Sequence, residues 1–434
     1  MPTNAKNHTS KLIDEIGFIN GIYVPWFHSK WFGRDIGPNF TKNYPECYFN
    51  EEYARKVFHN CKAIGFDMAK IWLNEEFEGM SFDSDGTVIG VEPLFLKNFE
   101  RLLQIAQEIG LNISICLVAH LECTFVGEKH LYDKYTRYIQ VESETENYIQ
   151  NYLYPVLNIA KKYGVILVDI YAEPEADGDI WNVTRGVSWE TMTRFINRIN
   201  RAVKEFDPLM ATTVSSGCGC NTILDGRYSN IEVDYYGADI YSNDGNFAST
   251  KDMLLEKPFM LGEYGLNYFA NATDETQIET LKKFYNNCMK YGVAGGFYWC
   301  YGWDGGGGEL HLVNKEGKLR RSAAYLHFLN IDRENKRKQT ARKDIPCLII
   351  TDGTDDIQFF GARGAKEYLL EAEANGKRYE IARILADDYG EYPEIIHFSY
   401  AEAYDKALYR VTALFENGEK TESDWVELNK KVEY

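Results

Sequence analysis

The feature that most constrains the fold is an alternation of short apolar runs and amphipathic segments over most of the chain. Several amphipathic segments have the 3.6-residue period of a helix and stop at a glycine, as helix C-termini commonly do. Strands that alternate with helices form parallel sheets, and eight such units close into a (β/α)8 TIM barrel. The predicted strands are Phe18–Val24, Asp67–Leu73, Asn112–Val118, Val165–Glu173, Met210–Val214, Ile231–Tyr241, Pro258–Glu263 and Val293–Cys300.

From Ile345 onward the pattern changes to short alternating strands with glycine-containing turns, which predicts an all-β, immunoglobulin-like sandwich. A highly charged, glycine-free segment precedes this region. The chain is therefore predicted to contain a TIM-barrel domain at 1–331, a charged linker at 332–344 and a β-sandwich domain at 345–434. The predicted sandwich strands are Cys347–Ile350, Ile357–Phe360, Glu367–Ala372, Tyr379–Ile384, Glu394–Phe398, Ala407–Leu414 and Asp424–Leu428.

Two glutamates stand at the ends of predicted barrel strands. Glu173 follows the apolar run that starts at Val165, and Pro174 then ends the strand because proline cannot donate to a sheet. Glu263 ends the seventh strand, 263 − 173 = 90 residues later. Chemistry in α/β barrels lies at these strand ends, and a pair of carboxylates there indicates cleavage of a glycosidic bond. The alternative for each glutamate is a surface ion pair without a chemical role.

The composition limits the class of ligand. The formal net charge is −18, which argues against nucleic acid, whose binding proteins carry basic surfaces, and against anionic membranes. An uncharged substrate such as a carbohydrate fits this charge. Aromatic residues make up 15% of the chain, and besides filling the core, aromatic rings form platforms for the C–H faces of sugars.

Cysteine usage and the N-terminal sequence bear on the compartment. The nine cysteines are odd in number and irregularly spaced, which indicates free thiols in a reducing compartment. The close pair at 218 and 220 lacks partners at zinc-ligand spacing, and the glycines at 305–308 lack the lysine of a phosphate-binding loop, so neither metal nor cofactor is predicted. The polar N-terminus and the absence of a long apolar run predict a cytoplasmic protein, or a secreted one if a signal peptide has been removed.

Two short motifs resemble those of a known enzyme family. Ala172–Pro174 (AEP) at the fourth strand and Gly262–Gly265 (GEYG) at the seventh are similar, in sequence and order, to motifs of the clan A glycoside hydrolases, most closely glycoside hydrolase family 5 of cellulases and mannanases. The resemblance covers the predicted barrel. It implies retaining hydrolysis of a β-linked oligo- or polysaccharide, with Glu173 as acid/base and Glu263 as nucleophile.

The same resemblance assigns roles to further residues. Tyr241 would hydrogen-bond the nucleophile, and Trp299 on the eighth strand would form the floor of the sugar site. His120 matches a histidine of the family after the third strand; its alternative is a local hydrogen bond. Other candidates for substrate contact, each with a place in the core as the alternative, are Trp26, Trp72, Trp181 and Trp303. Polar contacts at the second strand end would come from Lys70, Glu75 and Glu76.

Three residues depart from the family pattern. Ala172 replaces the asparagine that contacts the sugar 2-hydroxyl, Lys70 stands near the place of an arginine, and Asp239 replaces a histidine. Because contacts to the 2-hydroxyl strengthen in the transition state, two alternatives to hydrolysis stay open: a weakly active or inactive carbohydrate-binding protein, and an enzyme that transfers the glycosyl group to another sugar. The sugar, the linkage, endo or exo action and the oligomeric state are open as well.

Residues 345–434 resemble a fibronectin type III domain. The match rests mainly on Tyr409–Leu414 followed by the turn at Asn417 and Gly418, and Tyr409 would be the corner tyrosine of that family. Phe359 or Phe360 stands for the tryptophan expected early in such a domain. The resemblance implies a spacer or docking module that takes no part in catalysis.

Overall fold

The chain forms two compact units. The first comprises Met1–Ala54 and Asp67–His311, and the second comprises Arg55–Phe66 and Leu312–Tyr434. The computed structural model describes residues 6–25, 49–74, 77–121, 125, 128–181, 186–249, 257–266, 273–302, 310–314, 317–338, 344–351, 356–386, 394–399 and 406–429.

The first unit is a closed barrel of eight parallel strands, which confirms the predicted fold class. The strands are β1 Ile19–Tyr23, β2 Met68–Trp72, β3 Asn112–Cys116, β4 Leu167–Ala172, β5 Ala211–Ser216, β6 Tyr235–Tyr241, β7 Phe259–Gly265 and β8 Gly295–Tyr298. Each strand pairs with the next one along the chain, and β8 closes the barrel against β1. This order brings the C-terminal ends of all eight strands to one end of the barrel.

The barrel strands are buried on both faces. Every residue of β1, β2, β4, β5 and β7 is buried, as expected for a parallel sheet that has helices outside and packed side chains inside. Gly21 makes room for one of these side chains, since a Cβ there would lie 2.4 Å from the ring of Phe297. The interior is therefore a packed core on which the strand ends are held in fixed positions.

The helices are α1 His8–Ile16, α2 Glu51–Ile64, α3 Pro93–Ile109, α4 Lys129–Tyr135, α5 Arg137–Gln140, α6 Glu142–Tyr148, α7 Tyr154–Lys162, α8 Pro174–Asp177, α9 Trp189–Phe206, α10 Asn221–Leu224, α11 Asp274–Tyr291 and α12 Arg321–Lys338. A π-helical turn, Ile149–Leu153, joins α6 to α7, and a 3-10 turn spans Arg227–Asn230. A hairpin of Met80–Phe82 and Val88–Val91 follows β2. Helix α9 begins where Ser188 accepts a hydrogen bond from the Thr191 amide at 3.1 Å, which is a typical N-cap.

The sheets of the second unit are antiparallel, which confirms an all-β region at the C-terminus. Its strands are β9 Cys347–Ile349, β10 Asp356–Phe360, β11 Ala365–Ala374, β12 Lys377–Leu385, β13 Ile395–Ser399, β14 Lys406–Phe415, β15 Lys420–Glu422 and β16 Val426–Asn429. One sheet has the order β9-β10-β13, and the other has the order β12-β11-β14-β15, with β16 paired to β14. Tyr409 is fully buried in the core of this unit; its role as a fibronectin-type corner tyrosine stays a prediction.

Two helical segments belong to the second unit. Asn60, in α2, exchanges hydrogen bonds of 2.9 Å with the backbone of Ile350. The ring of His327, in α12, stacks on Phe360 at a centroid distance of 4.5 Å. Helix α12 continues through the charged segment to Lys338, where the Glu334 carboxylate pairs with side chains three and four residues later. The domain boundary at 332–344 stays a prediction.

Candidate active site

Glu173 lies just after β4 with an unusual backbone conformation. Its φ of 56° and ψ of 53° place it in the left-handed region, which costs a non-glycine residue about 1–3 kcal/mol and is found mainly at functional sites. Its amide donates to the Ser215 carbonyl at 2.8 Å, and Pro174 opens the short helix α8 immediately afterwards. The conformation therefore fixes where the Glu173 side chain leaves the barrel rim.

Glu263 lies within β7 and is held by a tyrosine. The Tyr241 hydroxyl donates to Glu263 Oε2 at 2.5 Å, as the sequence resemblance predicts for this pair. Glu263 is only 5% exposed. A hydrogen bond to the carboxylate favours the ionised form, so Tyr241 both orients Glu263 and helps to keep it charged.

A buried lysine supplies the positive charge of this region. Lys70 Nζ forms an ion pair with Asp169 Oδ2 in which both side chains are almost completely buried. The same ammonium donates to the Gly262 carbonyl at 3.3 Å and to Ser215 Oγ at 3.4 Å. Ser215 Oγ in turn donates to Asp169 Oδ2 at 2.7 Å. Residues from β2, β4, β5 and β7 thus form one polar network inside the barrel, directly beside Glu263.

Burial raises the pKa of both glutamates, but the charges around them differ. Burial, together with repulsion from Glu263 and Glu175, raises the pKa of the Glu173 carboxyl to about 8. Burial also raises the pKa of Glu263, to about 7, but the Lys70 charge and the Tyr241 hydrogen bond oppose this rise. Neighbouring carboxyls pushed apart in this way can serve as a proton donor and an ionised partner. Glu173 is the group that keeps its proton to higher pH.

Asp239 is a third carboxyl in the same region. It is 5% exposed, and neither of its oxygens has a hydrogen-bond partner in the described part of the chain. It lies opposite Glu263 in the register of β6 and β7. Burial and the charges of Glu263 and Glu173 raise the pKa of Asp239 well above its usual range. The surroundings of Asp239 therefore favour its neutral form.

Three aromatic rings pack together at this end of the barrel. The Tyr23 ring lies 5.7 Å from that of Trp72 and 5.1 Å from that of Trp299, and the two tryptophans are 5.5 Å apart. His120 contacts Trp72 with 5.7 Å between ring centroids, and its Nε2 atom lies 4.0 Å from Glu173 Oε2. The cluster forms an apolar wall on one side of Glu173.

Trp181 lies close to Glu173 and is 47% exposed. Its indole nitrogen donates to Cys218 Sγ at 3.1 Å. Gly217 separates the two side chains: a Cβ built on it would lie 2.6 Å from Trp181 Cη2 and 2.8 Å from Glu173 Oε1. A large exposed indole beside a carboxyl of raised pKa is a surface on which a sugar ring can stack.

The Glu175 side chain is held by hydrogen bonds that stabilise the local structure. It is fully buried, and its Oε1 atom accepts from Ser216 Oγ at 2.7 Å and from the Tyr228 hydroxyl at 2.9 Å. Its Oε2 atom accepts from the Gly217 amide at 3.1 Å. These bonds tie the segment after Glu173 to the end of β5.

The structure brings together seven of the nine residues predicted for the site. Glu173, Glu263 and Tyr241 lie among the strand ends with Trp72, Trp299 and His120, and Trp181 adjoins them. Trp26 and Trp303, like Glu75 and Glu76, lie outside the described residues. The sequence interpretation missed Tyr23, Asp169 and Ser215. Within the described residues, no group of three or more His, Cys, Asp or Glu side chains could hold a metal ion.

Comparison with known proteins establishes the class of fold. No protein-family model matches the sequence, and no curated protein sequence does so either. The structure is similar to a β-1,4-D-mannanase from Cryptopygus antarcticus (TM-score 0.54, 18% identity, covering 72% of this chain and 90% of that one). It is also similar to β-mannanase from the blue mussel Mytilus edulis (0.53, 18%, 72% and 92%).

An endo-1,4-β-mannanase from Eisenia fetida gives the same result, with a TM-score of 0.53, 17% identity and coverage of 72% of this chain and 91% of that one. At such low identity these similarities establish the barrel fold. Among the described helices, none has the length and apolar character required to cross a bilayer.

Proposed function

We propose that the protein is a retaining β-glycoside hydrolase that cleaves a β-linked oligo- or polysaccharide. The observation that carries the proposal is the pair of Glu173, just after β4, and Glu263, near the C-terminal end of β7; the pKa of Glu173 is raised to about 8, and Glu263 is held by Tyr241 and Lys70. Retaining glycosidases need one protonated and one ionised carboxyl flanking the bond that is cleaved. The fold shared with three β-mannanases supports the same class, and β-1,4-mannan is the first substrate that we would test.

In the first step Glu263 attacks the anomeric carbon while Glu173 gives its proton to the leaving oxygen. The glycosidic C–O bond breaks, and a covalent glycosyl-enzyme forms on Glu263. In the second step Glu173, now ionised, takes a proton from water, and the resulting hydroxide equivalent releases the sugar with retained configuration. Glu173 ends the cycle protonated, as it began.

The surroundings of the two glutamates favour Glu263 as the nucleophile and Glu173 as the acid/base. Lys70 and the Tyr241 hydroxyl stabilise negative charge on Glu263, whereas burial and the charges of Glu263 and Glu175 favour the neutral form of Glu173. Trp72 and Trp299, which are 8% and 7% exposed and pack on buried Tyr23, are suited to the apolar face of the sugar that becomes attached to Glu263. Trp181 is suited to the first sugar of the leaving group.

The first experiment measures reducing-sugar release from β-linked gluco-, manno-, xylo- and galacto-oligosaccharides by the wild type, Glu263→Gln and Glu173→Gln. Loss of the nucleophile abolishes turnover. Loss of the acid slows substrates with sugar leaving groups by roughly 100- to 10,000-fold and aryl glycosides with good leaving groups much less. Glu190→Gln, an exposed glutamate in the first turn of α9, is the matched control and keeps full activity.

Proton NMR identifies the anomer that is formed first, and this distinguishes retention from inversion of the anomeric configuration. Full activity of Glu263→Gln, or an inverted product, would refute the mechanism.

A second candidate function is carbohydrate binding without turnover. Ala172, buried at the end of β4, has no side chain that could hydrogen-bond a sugar hydroxyl, and Asp239 is a further departure from the family pattern. Tryptophan fluorescence that shifts with an oligosaccharide, in the absence of any cleavage of the panel, would favour this candidate. Cleavage that stops with Glu263→Gln would exclude it.

A further inference from the structure

Glu175 is a buried carboxyl that takes no part in the mechanism described above. It is the second residue of α8 and is 0% exposed. Two hydroxyls and one amide donate to it: Ser216 Oγ at 2.7 Å, the Tyr228 hydroxyl at 2.9 Å and the Gly217 amide at 3.1 Å. Because hydrogen bonds donated to a carboxylate favour its charged form, these three donors favour an ionised Glu175.

The charge of Glu175 has no counter-ion among the described residues. None of their lysine, arginine or histidine side chains forms an ion pair with it, whereas the buried Asp169 carboxylate is paired with Lys70. A buried carboxylate that is held only by neutral donors is costly for the fold. Proteins commonly retain such a cost where the charge serves a functional site.

Gly217 brings Glu175 close to the acid/base. The Gly217 amide donates to Glu175 Oε2 at 3.1 Å, and a Cβ built on the same glycine would lie 2.8 Å from Glu173 Oε1. Both carboxyls therefore border one residue. They are also joined through Pro174, whose ring fixes its backbone φ, so the spacing between the two carboxyls is set by a short and rigid segment.

Several charged or titratable groups face Glu173. Besides burial, the charges of Glu263 and Glu175 favour its neutral form, and the Lys70 charge opposes them. The other groups that interact with Glu173 are His120, Cys218, Asp239 and Tyr241. In the proposed mechanism the Glu263 charge is lost when the glycosyl-enzyme forms, whereas the Glu175 charge is present throughout the cycle.

We propose that Glu175 is a positioning residue for the acid/base, whose buried negative charge keeps the proton on Glu173 until the leaving group takes it. The inference rests on the proposed glycosidase function and deepens it, because it names the group that sets the upper pH limit of the site. In the second step the Glu263 charge has been consumed in the ester. The Glu175 charge then still makes Glu173 a stronger base towards water.

The test measures kcat/KM against pH for the wild type and Glu175→Gln on two substrates: an oligosaccharide that the wild type cleaves, and an aryl glycoside with a good leaving group. Loss of one nearby buried charge shifts a pKa by about one unit. On the oligosaccharide, the alkaline limb of Glu175→Gln therefore lies roughly one pH unit lower.

The size of the effect depends on pH. Since the pKa of Glu173 in the wild type is about 8, we expect a loss of about fivefold in kcat/KM at pH 8 and of less than about twofold at pH 6. The aryl glycoside needs little proton donation from Glu173, so its profile does not shift. A purely structural role of Glu175 would lower kcat/KM by the same factor at both pH values and on both substrates.

Two controls separate the charge of Glu175 from its hydrogen bonds. Tyr228→Phe removes one donor but keeps the charge, and its alkaline limb stays at the wild-type pH. Glu190→Gln removes an exposed charge from the first turn of α9 and has the wild-type profile. Melting temperatures show which variants are folded. If Glu175→Gln is not, Glu175→Met combined with Tyr228→Phe takes its place, because this pair removes the acceptor together with one of its donors.

Three results overturn the inference while leaving hydrolysis established. The first is an alkaline limb of Glu175→Gln at the wild-type pH, the second is an equal loss at every pH, and the third is a limb of Tyr228→Phe that shifts as far as that of Glu175→Gln. A wild type that cleaves neither substrate overturns the proposed function itself and the role of Glu175 with it.

Discussion

Replacement of Lys70 by methionine tests the polar network inside the barrel. Lys70 and Asp169 are 1% and 0% exposed, so the variant leaves the Asp169 carboxylate buried with only the Ser215 hydroxyl donating to it. Removal of one partner of a buried ion pair costs about 3–5 kcal/mol, because the remaining charge is left uncompensated. At roughly 2–4 °C per kcal/mol for a large domain, the melting temperature falls by about 6–20 °C.

Urea unfolding of four proteins measures this cost: the wild type, Lys70→Met, Asp169→Leu and the double variant. The double variant removes both charges, so we expect it to be more stable than either single variant. The control is Lys129→Met in the exposed pair with Asp133, at 2.7 Å, which leaves the unfolding midpoint unchanged.

The Lys70→Met variant also has a consequence for activity. The Lys70 charge lowers the pKa of Glu263, so its loss moves the acidic limb of the kcat/KM profile to higher pH. Two results would refute the argument that each charge of this buried pair compensates the other. One is a loss of stability below about 1 kcal/mol in Lys70→Met. The other is a double variant whose loss of unfolding free energy equals the sum of the losses in the two single variants.

Three further outcomes follow. In the wild type kcat/KM rises with pH as Glu263 loses its proton and falls as Glu173, with its pKa raised to about 8, loses its own; Glu173→Gln removes the falling limb, and a falling limb that persists would contradict the assignment. Asp239→Asn stabilises the protein more at pH 8 than at pH 4.5, because the raised pKa of Asp239 makes the folded wild type lose stability as pH rises above the unfolded-state value; equal melting shifts at both pH values would contradict this. Arg363→Met removes the guanidinium that is bonded at 2.6 Å to Asp344, a side chain that is 2% exposed; we expect about 3–5 kcal/mol of destabilisation, seen as faster proteolysis of the C-terminal strands than in Arg378→Met, whose ion pair is exposed.

The barrel was predictable because its local signals agree with its global order. The ends of helices α3 and α9 carry such local signals, since Gly110 ends the first and Ser188 caps the second. The positions of Glu173 and Glu263 at strand ends were also predictable, because Pro174 and Gly265 mark where their strands stop. These signals lie within a few residues of the element that they define.

The network around Lys70 was not predictable in the same way. Lys70, Asp169 and Ser215 come from three strands and meet only through the register of the closed barrel. One signal was available: Asp169 interrupts a run that is otherwise buried on both faces, and a buried charge requires a partner. The sequence does not say which partner. Helix α12 extends to Lys338, into the charged segment that we interpret as a linker. A charged segment of this kind can also be stabilised as a helix by ion pairs three and four residues apart.

The glycine before Glu263 has a consequence for mutational tolerance. A Cβ at Gly262 would lie 2.1 Å from Ser215 Oγ and 2.5 Å from Asp239 Oδ1, so every substitution there displaces buried polar groups on two neighbouring strands. In a saturation library selected for activity, position 262 would tolerate as little change as Glu263, the proposed nucleophile beside it. Intolerance to substitution at Glu263 would reflect chemistry. At Gly262 it would reflect only the limited space in the barrel interior.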